Sequence, residues 1–167
     1  MTNLKIKLLS ENATMPTRAN ATDAGYDIYA AETKILEPQE KAIIKTDVAV
    51  NIPKGYVGLL TSRSGVSSKT NLVIETGKID SGFHGNMGIN IKNDIQDFLI
   101  DTNVYKNIKG SYENAEQIQN RGTYIIHKGD KLAQLVIVPI WTPELEEVTE
   151  FDTQSTRGTN GFGSTGY

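Results

Sequence analysis

Cysteine is absent from the 167 residues, which excludes disulfides, thiolate metal sites, iron–sulfur ligation and a cysteine nucleophile. Histidine is present only twice, as His84 and His127, too few for a histidine metal cage or a histidine relay. Arginine is scarce: Arg18, Arg63, Arg121 and Arg157 stand against 13 lysines. A net positive charge is lacking as well. The chain carries 17 basic and 20 acidic residues, a formal charge of −3, which is the reverse of a duplex-binding footprint. No apolar run reaches the length of a membrane span, and Met1–Lys7 alternates charged and apolar residues instead of forming a signal-peptide core. The expectation is a cytoplasmic protein with no direct nucleic-acid binding and no membrane attachment.

What is present suits one globular domain. Hydrophobic residues at 38% and charged residues at 22% can support a packed core at this length. Most of the chain reads as short strands. Leu4–Leu8 and much of Lys41–Ile52 alternate with period two, the latter ending at the turn Pro53-Lys54-Gly55. Tyr56–Leu60 and Gly88–Lys92 follow, and Leu132–Ile140 is apolar on both faces and rich in β-branched residues, which predicts a central strand. One short segment, Arg63–Lys69, is a candidate helix. Closely spaced short strands with Gly and Pro turns predict an all-β sandwich, barrel or jelly roll.

The predicted layout is a β domain over 1–152 and a flexible tail over 153–167. A polar segment, about 94–119, has no clean apolar period and reads as an insertion between two core strands. Its length suits either a partner-facing excursion or a passive surface loop.

Five segments carry chemistry. The tail, Arg157-Gly158-Thr159-Asn160-Gly161-Phe162-Gly163-Ser164-Thr165-Gly166, combines an arginine for phosphate, glycines that let backbone N–H groups approach an anion, hydroxyls from Ser164 and Thr165, and one aromatic face in Phe162. It describes a flap over a nucleotide, or a Gly/Ser tail with an incidental Arg and Phe. Arg63-Ser64-Gly65-Val66-Ser67-Ser68-Lys69 follows an apolar strand and, without Walker spacing, either offers donors to phosphate or forms a capped turn with solvated charges, the reading favoured for the segment taken alone. Gly77–Gly88 has glycines at 77, 82, 85 and 88 and predicts a tight hairpin. Asp80 at its entry can orient and deprotonate a water or cap the turn; Phe83 at its tip can stack on a sugar. Ala21–Tyr29 places Asp23 and Asp27 around Gly25, and Asp27 can hold a hydrated magnesium ion or serve a turn. In Gly129-Asp130-Lys131-Leu132-Ala133-Gln134-Leu135, Gln134 is a polar residue inside an apolar strand, and a buried amide needs partners.

In order and identity, D-A-G-Y-D-I, R-S-G-V-S-S-K, G-K-I-D-S-G-F-H-G, G-D-K-L-A-Q-L and R-G-T-N-G-F-G-S-T-G resemble the motifs of the trimeric dUTPase family. The likeness runs from about Ala21 to Gly166. The polar insertion further resembles members from bacteriophages, particularly those of staphylococci. The resemblance implies a jelly-roll homotrimer that hydrolyses dUTP to dUMP and pyrophosphate with Mg²⁺, limiting uracil in DNA and supplying dUMP for dTMP synthesis. By motif match, Asp80 would orient the attacking water and Asp27 would hold waters of the metal shell. Arg63, Ser64, Gly65 and Gln134 would bind the phosphate chain. Gly77 and Gly88 would help read the uracil edge, and Phe83 would stack against deoxyribose. Arg157, Phe162, Gly163, Ser164 and Thr165 would close over the bound nucleotide.

Two positions depart from the family pattern, Phe83 in place of the usual tyrosine and His84 in place of Arg or Gln. A dCTP deaminase-like enzyme of the same superfamily is the alternative chemistry, disfavoured by Asp80 where such enzymes use Glu. The insertion motivates another reading, a second or even principal role in binding a repressor protein encoded by a mobile genetic island.

Overall fold

Period-two patterning buries one face of each strand, and the computed structural model, which describes residues 3–96, 100–153, 155–156 and 158–159, is built almost wholly from such strands. In chain order they are β1 (Lys5–Leu8), β2 (Gly25–Tyr29), β3 (Lys34–Leu36), β4 (Lys41–Lys45), β5 (Val48–Asn51), β6 (Tyr56–Ser62), β7 (Leu72–Ile74), β8 (Gly77–Ile79), β9 (Gly88–Asn93), β10 (Asp101–Lys106), β11 (Tyr112–Asn120), β12 (Tyr124–Ile126) and β13 (Lys131–Pro139). One helix, α1 (Ser64–Lys69), follows β6. The architecture is the all-β jelly roll expected from the spacing of strands and turns.

The strands form four sheets, ordered β1-β5, β11-β10-β12-β3, β2-β13-β6-β8 and β4-β9-β7. Their inner faces close on one core that includes Ile28, Leu36, Ile44, Leu60, Ile91 and Leu135. Strand β13 is central, as its two-faced apolar character requires: β2 pairs along one edge and β6 along the other. Leu132, Ala133 and Leu135 are fully buried there. The buried amide of Asn93 is satisfied by donating to Leu36 O (3.1 Å) and Gly122 O (2.9 Å) while accepting from Ile95 N (3.2 Å).

Three local expectations change. The alternation over Lys41–Ile52 is not one strand. Asp47 adopts φ 52°, and Asp47 N donates to Asn86 Oδ1 at 2.9 Å while Asn86 Nδ2 donates to Asp47 Oδ1 at 2.6 Å. This locally bonded turn sends β4 and β5 into different sheets. The Gly77–Gly88 segment is not a paired hairpin either. β8 pairs with β6, whereas β9 pairs with β4 and β7. Finally, much of the polar 94–119 segment is strand. β10 and β11 form an antiparallel hairpin, joined to the body where Lys106 pairs in parallel with Tyr124. Most of β11 is exposed or half-exposed on both faces, so no apolar alternation marks it.

Candidate active site

The sheet β2-β13-β6-β8 positions the chemistry. Gln134 of β13 lies opposite Asp27 of β2 and Thr61 of β6. Its Nε2 donates to Ser62 O at 2.9 Å. A Cβ on residue 25 would stand 2.5 Å from Gln134 Oε1, so Gly25 is what gives the amide room. Ser62 ends β6, and Arg63 follows with extended backbone before the chain turns into α1. Arg63 Nε donates to Asp27 Oδ1 at 2.7 Å, and Arg63 NH1 donates to Lys131 O at 3.1 Å. Lys131 Nζ lies 2.9 Å from Asp27 Oδ2.

The Asp27 side chain is 14% exposed, and its charge is compensated from both sides. The same contact works on the lysine: the hydrogen bond and charge of Asp27 raise the Lys131 ammonium above its ordinary range. Asp23 does something else. Its Oδ2 accepts from Asn20 N at 2.8 Å, so this carboxylate is engaged in holding its own loop.

A cleft of about 240 Å³ opens among Asp23, Gly25, Asp27, Arg63, Ser64 and Gln134. The structure thus gathers residues from three separate sequence segments into one polar concavity. A Cβ on Gly65, beside the cleft, would meet nothing within 4 Å, so a ligand can approach its backbone closely. A larger hollow of about 730 Å³ lies beneath the β10–β11 hairpin, with Asp94, Lys106, Tyr112 and Arg121 on its walls. It holds none of the predicted site residues.

The predicted catalytic carboxylate is elsewhere. Gly77 pairs with Leu60 and Ile79 with Gly58, which sets Asp80 level with Val57. Arg63 lies six residues farther along the β6 direction, about 20 Å away at ~3.3 Å per residue. Asp80 is exposed, and its carbonyl accepts from Phe83 N at 3.1 Å. The exposed Phe83 ring lies over Gly85. Gly88 opens β9 opposite Lys45. His84 contacts Asn51 Oδ1 through Nε2 at 3.2 Å, a surface contact of the turn. The described residues predicted for one site therefore fall into two groups, one at each end of β6. The tail residues Arg157, Phe162, Gly163, Ser164 and Thr165 lie outside the described residues.

Sequence reasoning assigned no role to Lys131. Residues 131 and 134 differ by an odd number, which puts them on opposite faces of a regular strand. A bulge against β2 between Lys131 and Ala133 brings the two to the same face. Its nearest signal was position within the segment that carries Gln134.

The family model described as dUTPase matches residues 11–104 and 117–166. The chain belongs to the dUTPase family. Residues 105–116, the distal part of the β10–β11 hairpin, lie between the two matched stretches. The mitochondrial deoxyuridine 5'-triphosphate nucleotidohydrolase of Homo sapiens is 36% identical over 98% of this chain, which spans 54% of the human protein's length. Among solved structures, a Staphylococcus bacteriophage 80alpha dUTPase with dUPNHPP is 62% identical with a TM-score of 0.95, covering 100% of both chains. A dUTPase variant from phage phi11 of S. aureus, whose structure reveals the coordination of a structural Mg(II) ion, is 66% identical with a TM-score of 0.89, covering 91% of this chain and 100% of that one. Family membership and these relatives support dUTP diphosphatase activity. Among the described residues, no helix of this dUTPase is long and apolar enough to cross a membrane.

Proposed function

We propose that this dUTPase hydrolyses dUTP to dUMP and pyrophosphate at composite sites in a homotrimer, each pairing the cleft of one copy with the Asp80 turn of another. The observation that carries the reading is the convergence of Asp27, Arg63, Ser64 and Gln134 on one cleft while Asp80 lies about 20 Å away along the same sheet. A heterologous interface that closes into a ring supplies each cleft with its neighbour's turn.

In this reading Arg63, Ser64, the Gly65 backbone and Gln134 bind the phosphate chain. Gly77 and Gly88 face the uracil edge, and Phe83 packs against deoxyribose. Arg157, Phe162, Gly163, Ser164 and Thr165 complete the enclosure. Asp80 takes a proton from a water as its oxygen bonds to the α-phosphorus. The α–β bridging P–O bond breaks in line, and pyrophosphate leaves. No covalent enzyme intermediate forms, which fits a chain without cysteine. The residues present suit Mg²⁺ held through water. Among the described residues, no three His, Cys, Asp or Glu side chains could cage a metal. An ionised carboxylate such as Asp27 has about four acceptor sites, so about two remain beyond its two cationic partners. Magnesium keeps its waters and is held by one or two carboxylates plus substrate phosphates. When bound, the ion neutralises the phosphate chain and fixes its conformer.

Pyrophosphate release from dUTP, dTTP, dCTP and UTP, with and without Mg²⁺, tests the reading. Release confined to dUTP and dependent on Mg²⁺ is expected. Ammonia release from dCTP would establish the deaminase instead, and no turnover of any of the four would leave a regulatory binding protein.

A second role in binding a partner protein rests on the hairpin. Ile100, Tyr112 and Ile118 are 56%, 66% and 74% exposed, and the 80alpha relative is described as controlling transfer of virulence genes by a proto-oncogenic G protein-like mechanism. A repressor encoded by a mobile genetic island, met in the bacterial cytoplasm, is the partner proposed. Pull-down with and without residues 101–120 tests it, and unchanged capture would remove the hairpin from the interface.

A further inference from the structure

Among the described residues, Lys131 is the one charged side chain in contact with Asp27 that the proposed reaction leaves without a task. Its Nζ lies 2.9 Å from Asp27 Oδ2 and 5.8 Å from the centroid of the Tyr29 ring. That ring is itself held, because the Tyr29 hydroxyl shares a 2.6 Å hydrogen bond with Thr17 Oγ1. Thr17 closes the circle: its carbonyl accepts from Asp27 N at 2.6 Å. The ammonium is therefore set between a fixed ring and a fixed carboxylate. Lys131 is not among the residues that line the cleft, whereas Arg63 and Asp27 are.

The consequence falls on Arg63. A guanidinium has five N–H donors. Nε serves Asp27 Oδ1 and NH1 serves the Lys131 carbonyl, so the rest of the fork is available to the cleft. Arginine and carboxylate, left to themselves, favour a bidentate fork in which both oxygens are used. Here one acceptor site of Oδ2 is taken by the Lys131 ammonium, whose positive charge holds a second guanidinium N–H off that oxygen. With the ammonium gone, Oδ2 would turn to Arg63, take another N–H, and draw the guanidinium off the cleft.

We propose that Lys131 is a positioning residue: by occupying Asp27 Oδ2 it limits Arg63 to a single contact with that carboxylate and keeps the guanidinium presented to polyphosphate. The inference rests on reading the cleft as the phosphate site. Loss of one charge-assisted phosphate contact sets the expected scale.

The test uses Lys131→Met and Lys131→Arg in the full chain. Affinity for inorganic pyrophosphate and for deoxyuridine is measured by calorimetry, and KM and kcat for dUTP by pyrophosphate release. Lys131→Met is expected to weaken pyrophosphate and raise KM about tenfold, which is about 1.4 kcal/mol. Deoxyuridine affinity should be unchanged, and kcat should stay within about threefold because the chemical step does not use this group. Lys131→Arg, which retains a cation, should restore most of both. Pyrophosphate binding equal to wild type in Lys131→Met would overturn the inference. So would an equal loss of deoxyuridine affinity, the mark of a loosened fold. Lys131→Gln carries the same criteria if the Met variant melts early. A wild-type protein that does not hydrolyse dUTP would sink the reading of the site, and the pyrophosphate comparison would still decide the role of Lys131. An active wild type with an unaffected Met variant would sink this inference alone.

Discussion

Two inactive variants should repair each other. Asp80→Ala removes the proposed base, and Arg63→Ala removes a phosphate donor at the far end of β6. Each alone is expected to lose about 10²-fold in kcat/KM, the scale of a positioned acid–base group or of a charged hydrogen bond to phosphate. The register of β8 on β6 keeps these residues about 20 Å apart in one chain, far beyond the reach of a single substrate phosphate. If each site takes its cleft from one copy and its turn from another, a site is whole when the cleft comes from an Asp80→Ala chain and the turn from an Arg63→Ala chain. Random reassembly of an equimolar mixture makes about a quarter of sites whole. The mixture should then show about 25 times the activity of either parent. The two variants are unfolded together in mild denaturant, refolded, and assayed for pyrophosphate release from dUTP, with unmixed refolding as control. Activity no greater than the mean of the parents would refute the composite site, because a site built within one chain gains nothing from mixing.

Other outcomes follow from single contacts. Gly25→Ala places a Cβ 2.5 Å from Gln134 Oε1 and must displace the amide by almost 1 Å; kcat/KM should fall roughly 10–100-fold, with a lowered melting temperature from overpacking. Leu135→Ala empties a fully buried position on the central strand and should cost about 2–5 kcal/mol in denaturant unfolding. Glu113 is held below its ordinary 4.5, first by the hydrogen bond from Asn107 and then by that from His127. A carboxylate with a depressed folded value contributes stability above its unfolded pKa that is lost as pH falls through the folded one. Thermal melts of Glu113→Gln should therefore diverge from wild type above about pH 4.5 and converge with it in stronger acid; parallel curves throughout would deny the pair any role.

The chain's own order of residues determined its strand class, the central place of β13 and the polar groups that line the cleft. These are local properties: a two-faced apolar run must be interior wherever it lies, and Arg-Ser-Gly after a strand presents donors in any fold. The break at Asp47 was hidden, because alternation continues through it and only the reciprocal bonds with Asn86 turn the chain. The β10–β11 hairpin was hidden as well, since a largely exposed strand such as β11 needs no apolar period. Tertiary structure alone decided which candidates meet. Pairing register carried Asp27, Arg63 and Gln134 to one cleft and Asp80 to the opposite end of β6. The bulge after Lys131 turned that side chain onto the face where Asp27 stands, because one extra residue in a strand reverses the alternation on which any reading from spacing depends.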